Sequence, residues 1–495
     1  MKAVLLGKVG IWRFHRSITG FLAVVLLTGV YFESFSNYDS NIWDEGVPLS
    51  GALRMMNGDR PIRDFIAYPP GRYLLYRAAM HFGGVDVQST RTATAVITAF
   101  AAALLWLIGT HLGLRSGAVV PVIIYCLMPM YYYYRFFSIM LILMILCIDL
   151  QIRSESIREA VTAGLLGGCI IWFRLVLGLF ILAILPGIAV WVAMRRRKRR
   201  WEVIWIPTVL GWAGFVAQVG YVGGFNRWLT YVRICRSFTR AGLTDMALPW
   251  PPLWSMEYVA MQPLNFLFQD VLVYAGMVVI LAGAFYAVRF YRKVPPTFLS
   301  LVVTAWIGMG LVIWRTGYGN LLRAAPPLIL ISVYLLSRAS RWKRVIHGIG
   351  WLVFIGLALD SLVYDPITYQ SIGIMPHCTA RLTHPRYGVK LHPRDCALIS
   401  EVTAAVEAAG RGYPAKLLVL PFHPLFYFIT GLTSSSYFDW VLPGTFSDPK
   451  ARAAMIRDVV ISEPDIVLLN DAAFDGIPDR QFSTQYPELW MWITR

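Results

Sequence analysis

The chain has 495 residues, 57% of them hydrophobic and 15% charged, with a formal net charge of +17. Soluble domains carry roughly 25% charged residues, so this composition excludes a water-soluble globule as well as a disordered, collagen-like or disulfide-rich secreted chain. The basic residues cluster between apolar runs, a pattern of membrane topology signals and not of nucleic-acid binding, and what remains is an α-helical polytopic membrane protein.

A bilayer core needs roughly 20 mostly apolar residues per helix. Eleven such runs lie near 17–33, 90–112, 117–133, 135–150, 159–173, 175–194, 202–222, 270–290, 297–314, 324–338 and 345–363, the fourth, fifth and tenth being short. The first has no small-residue cleavage site after it and reads as a retained helix. Four basic clusters set the orientation: Lys2, Lys8, Arg13 and Arg16; Arg195 to Arg200; Arg289, Arg292 and Lys293; Arg338, Arg341, Lys343 and Arg344. With eleven crossings all four fall on one side, which the excess of basic residues marks as cytoplasmic, the N-terminus with it.

Three segments then lie outside. A loop spans 34–89, a second spans 223–269 with Pro249-Trp250-Pro251-Pro252, and the chain ends in a more polar domain, 365–495, after a membrane core of 1–364. The tail reads as a small α/β unit. Ala397 to Gly410 has helical periodicity, Lys416 to Phe422 and Asp465 to Asn470 are short apolar strands, and Ser447-Asp448-Pro449 opens a helix running to Val460.

The first loop carries the densest chemistry. Asp39, Asp44 and Glu45 follow the first helix, with Trp43 suited to the interface. A partly desolvated acid at the membrane face can serve as a general base toward a hydroxyl or amine; the plainer reading is that Asp44 and Glu45 open a surface helix, where the helix dipole favours acids. Val47 to Met56 predicts an amphipathic helix lying on the membrane. Gly58-Asp59-Arg60-Pro61 turns the chain, Arg63-Asp64 supplies both charges, Tyr68-Pro69-Pro70-Gly71 breaks it, and a second amphipathic helix runs from Arg72 to His81.

That order — a membrane helix, Asp44-Glu45, a helix closing on Gly58, Pro61-Ile62-Arg63-Asp64-Phe65, Tyr68-Pro69-Pro70-Gly71, then a helix rich in Tyr and Leu — resembles the GT-C superfamily of membrane glycosyltransferases. More narrowly it is similar to bacterial family-39-like proteins, related to protein O-mannosyltransferases and lipid A aminoarabinose transferases. Weaker matches are Gly164 to Gly178 with Arg174, Arg315 to Pro327, and the tail run Pro421 to Gly431. The resemblance implies a bacterial inner-membrane enzyme that moves a sugar, with inversion, from a polyprenyl-phosphate donor to a lipid, glycan or protein acceptor at the outer face. It implies no required cofactor. Asp44 matches the catalytic acid position, with Glu45 beside it, and Asp39, Arg63, Asp64, Tyr68, Arg72 and Tyr73 fall in the substrate-binding segment. Some relatives place a Lys before Pro-Pro to bind the donor phosphate; here Tyr68 stands there, so an arginine must substitute.

Arg174 interrupts an apolar stretch, where a charge is expensive unless it faces a cavity, a partner or the interface. Contact with the donor phosphate competes with snorkelling to headgroups. Arg315 and Arg323 flank the tight connection Thr316 to Leu322 and offer the same two readings. Arg135 follows Tyr131 to Tyr134, an aromatic girdle by pattern. His423, past a strand end, is either a ligand contact or a structural turn. A Cys378–Cys396 disulfide fits an oxidising compartment, while His377, His384 and His392 match no standard zinc spacing. Two other function classes compete: a transporter or flippase of lipid-linked sugars, for which Asp149 and Asp360 are the acids near helix interiors, and a non-catalytic scaffold.

Overall fold

The computed structural model describes residues 2–130, 132–195, 200–243, 246, 248–314, 316–338, 353, 355–360, 362, 372–410, 414–434, 436–446, 448–473 and 476–495. Helix α1 (Lys2–Ser34) enters the first loop, which holds α2 (Gly46–Met56) and α3 (Gly71–Gly83). There follow α4 (Val87–His111), α5 (Val119–Leu127), α6 (Tyr132–Arg153), α7 (Ile157–Phe173), α8 (Leu175–Arg195) and α9 (Trp201–Tyr221). The second loop holds α10 (Phe225–Leu243) and α11 (Met256–Met261), and α12 (Leu264–Arg289), α13 (Pro296–Trp314) and α14 (Tyr318–Arg338) complete the bundle.

Six of these, α4, α6, α8, α9, α12 and α14, contain stretches long and apolar enough to cross a membrane, and Ile18–Ser34 and Pro296–Gly310 are shorter apolar helices. The chain is a multi-pass membrane protein. The run expected to cross at 117–133 does not form one helix. Its α5 has nine residues, about 14 Å at 1.5 Å per residue, and Met128 leaves the helix in extended conformation. The run at 345–363, Arg196 to Arg199, and Arg341, Lys343 and Arg344 lie mostly or wholly outside the described residues, although 355–360 are helical. Local chemistry fixes several ends: Asp86 accepts from the Ser89 N–H to cap α4, and Ser156 and Glu159 form a reciprocal capping box at α7. Helices α7 and α9 approach at Gly168 and Gly214, where a Cβ on Gly214 would meet Gly168 Cα at 2.6 Å, so the backbones touch where small residues allow it.

The C-terminal unit is α/β as expected. Strand β3 (Lys416–Leu420) lies between β4 (Thr433–Ser434) and β5 (Ile466–Leu469), all parallel, with Leu417 opposite Ile466 and Leu420 opposite Leu469. Helices α15 (Pro393–Ala409), α16 (Leu425–Thr430) and α17 (Pro449–Ile461) accompany it, and Asp448 caps α17; Ser447 is outside the described residues. A short antiparallel pair, β1 (Ala380–Arg381) and β2 (Lys390–Leu391), reaches the first loop: Asp39 N–H donates to Lys390 O at 2.8 Å and Lys390 N–H to Asn37 O at 2.9 Å.

That junction changes the reading of α2. It does not lie on the membrane; Gly46 to Ala52 are buried, and Gly46 abuts α16 so closely that a Cβ would come 2.1 Å from Leu425 N. The amphipathic pattern serves a protein interface. Cys378 and Cys396 are not joined but are free thiols, the first buried.

One side chain ties these parts together. Arg91, in α4, is 0% exposed. Its Nε and Nη2 each donate at 2.7 Å to one oxygen of Glu45, Nη1 donates to the carbonyls of Ser36 (2.8 Å) and Tyr38 (3.0 Å), and Nη2 to that of Asp39 (2.8 Å). Five donors meet five acceptors, which is what burial of a guanidinium requires. The Arg91→Met substitution leaves Glu45 buried without a counter-charge. We expect a loss of about 3–5 kcal/mol, seen as a lowered thermal midpoint in nanodiscs, with much of it restored by Glu45→Met in the same chain. An unchanged midpoint for the single variant contradicts this role.

Candidate active site

Asn41 begins the construction. Its Oδ1 accepts from the N–H groups of Trp43 (3.1 Å) and Asp44 (2.8 Å), an Asx turn that bends the chain into α2. Glu45 faces α4 and Arg91, and its Oε2 also accepts from the Tyr387 hydroxyl at 3.0 Å. Both of its oxygens are thus occupied by structure. Glu45 holds the loop through Arg91 and Tyr387, while Asp44 lies with Tyr134. Asp44 is half-buried, and Tyr134 at the start of α6 donates its hydroxyl to Asp44 Oδ2 at 2.5 Å.

Around the Tyr68 phenol the structure gathers four charges: Asp44, Arg174, Arg72 and Arg323. Burial raises the Tyr68 hydroxyl above its ordinary range, and Asp44 adds to this while the three arginines oppose it. The Tyr68 ring stacks on Trp440 of the C-terminal unit at 5.9 Å and 28°, and its N–H donates to the Tyr73 hydroxyl at 2.9 Å. Tyr73 is therefore a buried support for Tyr68.

The arginines come from three elements. Arg72 lies in the first turn of α3 and is buried. Arg174 is the single residue between α7 and α8, in extended conformation. Arg323 lies in the second turn of α14. Each rests on an aromatic ring of α6: Arg323 Cζ is 3.4 Å from the Tyr134 centroid, Arg72 5.7 Å from Phe136, and Arg174 5.2 Å from Phe137. Among the described residues no carboxylate lies within ion-pair distance of any of the three, and the Nε atoms of Arg72 and Arg323 are buried without hydrogen-bond partners. Burial, then the charge of Arg72, holds the Arg174 guanidinium below its ordinary value, with Arg323 adding to this. Three cations share a partly buried space with Asp44 as the one acid of the group, and among the described residues none of the three is ion-paired, a setting that an anion relieves.

His423 joins from the tail. Its Nε2 accepts from the Trp43 indole N–H at 2.8 Å and lies 3.1 Å from Asn470 Nδ2. Burial lowers its pKa to about 4, so the ring is neutral and locks Trp43 beside Asp44. The remaining expected residues lie apart. Asp39 sits at the junction with β2 with φ 65°, a turn that Asp tolerates and that presents carbonyls to Arg91. Arg63 and Asp64 pair with each other at 2.9 Å on the loop surface. Arg315 falls outside the described residues. Among those described, no group of three or more His, Cys, Asp or Glu is placed to hold a metal ion.

Two features escaped the sequence reading. Tyr134, Phe136 and Phe137 build the floor of the site, a role that the girdle reading of Tyr131 to Tyr134 does not anticipate, and Arg135 is 1% exposed, with Cζ 4.4 Å from the Phe32 ring and Nη2 donating to Met128 O at 3.2 Å. Four consecutive Tyr followed by Arg135, Phe136 and Phe137 were the available signal. Arg54 was not singled out either. It joins Asp59 (2.7 Å) and Asp439 (2.6 Å), clamping the first loop to the residue before Trp440.

Comparison with family models finds no match, and comparison with curated proteins finds none either. Among solved structures the chain is similar to the crystal structure of ArnT from Cupriavidus metallidurans bound to undecaprenyl phosphate. The TM-score is 0.46 at 13% identity, over 84% of this chain and 85% of that one, and the functional weight rests on the site itself.

The buried imidazole makes a pH test. Unfolded, His423 takes a proton near pH 6.5; folded, it does so only near 4. Between those values the unfolded state binds more protons, so stability falls as pH falls, by about 3 kcal/mol in all. His423→Gln keeps an acceptor for Trp43 but does not titrate. Relative to that variant, wild type is expected to lose this stability between pH 7 and 4 in denaturation experiments; parallel profiles contradict a buried neutral His423.

Proposed function

We propose that the chain is an integral membrane glycosyltransferase that takes its sugar from a polyprenyl-phosphate donor. One observation carries the reading: a carboxylate hydrogen-bonded by Tyr134 shares the surroundings of Tyr68 with three guanidiniums that, among the described residues, have no carboxylate at ion-pair distance. A base beside an anion cradle at the membrane is what transfer from a lipid phosphate demands. The sequence resemblance of the first loop points to the same chemistry.

Asp44 acts as the general base. The acceptor oxygen or nitrogen forms a bond to the sugar C1 as the C1–O bond to phosphate breaks, the acceptor proton passes to Asp44, and polyprenyl phosphate leaves as the anion. Attack from the face opposite the leaving group inverts the anomeric centre. Arg72, Arg174 and Arg323 hold the phosphate and stabilise the charge that develops on it. Tyr68, kept as the neutral phenol, supplies a hydrogen-bond donor where relatives carry a lysine. Glu45, Tyr134, Tyr73 and His423 position these groups, and no metal is assigned a step. The C-terminal unit lies on the extracytoplasmic side of a bacterial inner membrane, where it meets a lipid, glycan or protein acceptor.

A transporter finds less support. Asp149 is paired with Arg153 at 2.5 Å, and Asp360 accepts from Tyr318 (2.6 Å) and Gln269 (2.8 Å), so both intramembrane acids have structural partners.

Two variants test the assignment in nanodiscs supplied with a panel of polyprenyl-phosphate sugars and envelope acceptors. Asp44→Asn is expected to lower transfer at least about 10²-fold while polyprenyl-phosphate binding persists; full turnover by that variant removes Asp44 from the mechanism. Arg174→Ala is expected to weaken polyprenyl-phosphate binding by about 1.5–3 kcal/mol, the worth of a charge-assisted hydrogen bond. Unchanged affinity shows that the cradle does not hold the phosphate.

A further inference from the structure

Helix α10 connects two helices of membrane-spanning length: α9 ends at Tyr221 and α12 begins at Leu264. It carries Arg227, Arg233, Arg236 and Arg240 and no acid. One side packs on the protein. Trp228, Tyr231 and Ala241 are buried in the cluster that contains Phe65 and Phe446. At 3.6 residues per turn, Phe225, Leu229, Arg233, Arg236 and Arg240 share the opposite face, within about 80° of arc. The three arginines are exposed, and Phe225 is 59% exposed. A face that mixes arginine with large apolar side chains suits neither bulk water nor the acyl core; it suits the boundary between them.

The neighbouring chain supports that placement. Trp254 and Met256 are 75% and 84% exposed, and Leu264, where α12 starts, is 84% exposed. Leu264 opens a helix of spanning length, and an exposed Trp in the segment leading into such a helix suits the membrane interface.

We propose that the outer face of α10 is a binding surface for anionic phospholipid headgroups of the leaflet on which the C-terminal unit sits. Arg233, Arg236 and Arg240 engage the phosphates while Phe225 and Leu229 enter the upper acyl region. The occupant is a lipid because the arginines share one face with the exposed Phe225 and the half-buried Leu229, where a soluble anion would leave the apolar part uncovered. The surface is separate from the arginine cradle and does not depend on the transferase reading.

The test uses the full chain in nanodiscs of equal phosphatidylglycerol and phosphatidylcholine, with retained lipids counted by native mass spectrometry after release. Wild type is expected to retain phosphatidylglycerol preferentially. The triple variant R233A/R236A/R240A is expected to lose that preference, about fivefold for each arginine contact, equivalent to about 1 kcal/mol near an anionic membrane. The triple lysine variant should keep it. Should the alanine triple fail to purify, R236A alone is expected to show the single fivefold loss. Equal preference in wild type and the alanine variant overturns the proposal. So does retention of a soluble sulfated polysaccharide by wild type in purely phosphatidylcholine discs, if the alanine triple abolishes it, since the face would then serve a soluble glycan.

Discussion

A guanidinium buried in an apolar bundle is tolerable only if its donors are satisfied and its charge is met. Arg91 imposes that condition on everything around it. The three carbonyls it needs come from the turn after α1, and the carboxylate comes from the residue that opens α2. Satisfying Arg91 therefore fixes the path of residues 36–45 and the start of α2. It also fixes where Asp44 goes. Neighbouring side chains at a helix start diverge by about 100°, so once Glu45 turns toward α4, Asp44 is presented elsewhere, where Tyr134 receives it. The acid pair thus divides: one member shapes the loop, and the other is the base of the proposed reaction.

A second clamp works from the other side. Arg54 joins Asp59 and Asp439 and covers the Phe65 ring at 4.6 Å. Burial raises the Asp439 carboxyl, and Arg54 pulls against that effect. Because Trp440 follows Asp439 and stacks on Tyr68, this ion pair brings the C-terminal unit over the site. The site is then a composite: the first loop supplies the acid and the phenol, α6 the aromatic floor, the α7–α8 junction and α14 two cations, and the tail a lid of Trp440 and His423. Arginines on planar rings keep their charge while losing water, which strengthens their pull on an incoming anion.

Local patterns were readable in the sequence because local physics sets them. The two loop helices, the tail strands, the Asp448 cap and the isolation of Arg174 between apolar runs all follow from spacing and turn chemistry. The misreadings share a different cause. Nothing near Glu45 in sequence tells that Arg91, 46 positions on, will claim it. Helix α2 has the amphipathic pattern of a membrane-surface helix, and only the arrival of α16 makes it an interior one. The girdle reading of Tyr131 to Tyr134 does not anticipate that Arg323 settles over Tyr134, or that Arg72 and Arg174 reach Phe136 and Phe137. The short α5 was hidden in the same way, since an apolar run of spanning length does not report that Met128 and Pro129 break it.

The central claim is that Arg72, Arg174 and Arg323 form the seat of a lipid phosphate beside Asp44. A cryo-electron microscopy structure of the protein in nanodiscs with polyprenyl phosphate tests it most directly. The account predicts phosphate density within hydrogen-bond reach of at least two of these guanidiniums and of the Tyr68 hydroxyl. Phosphate seated elsewhere, for example against Arg135 within the bundle, with the three arginines unoccupied, would contradict it.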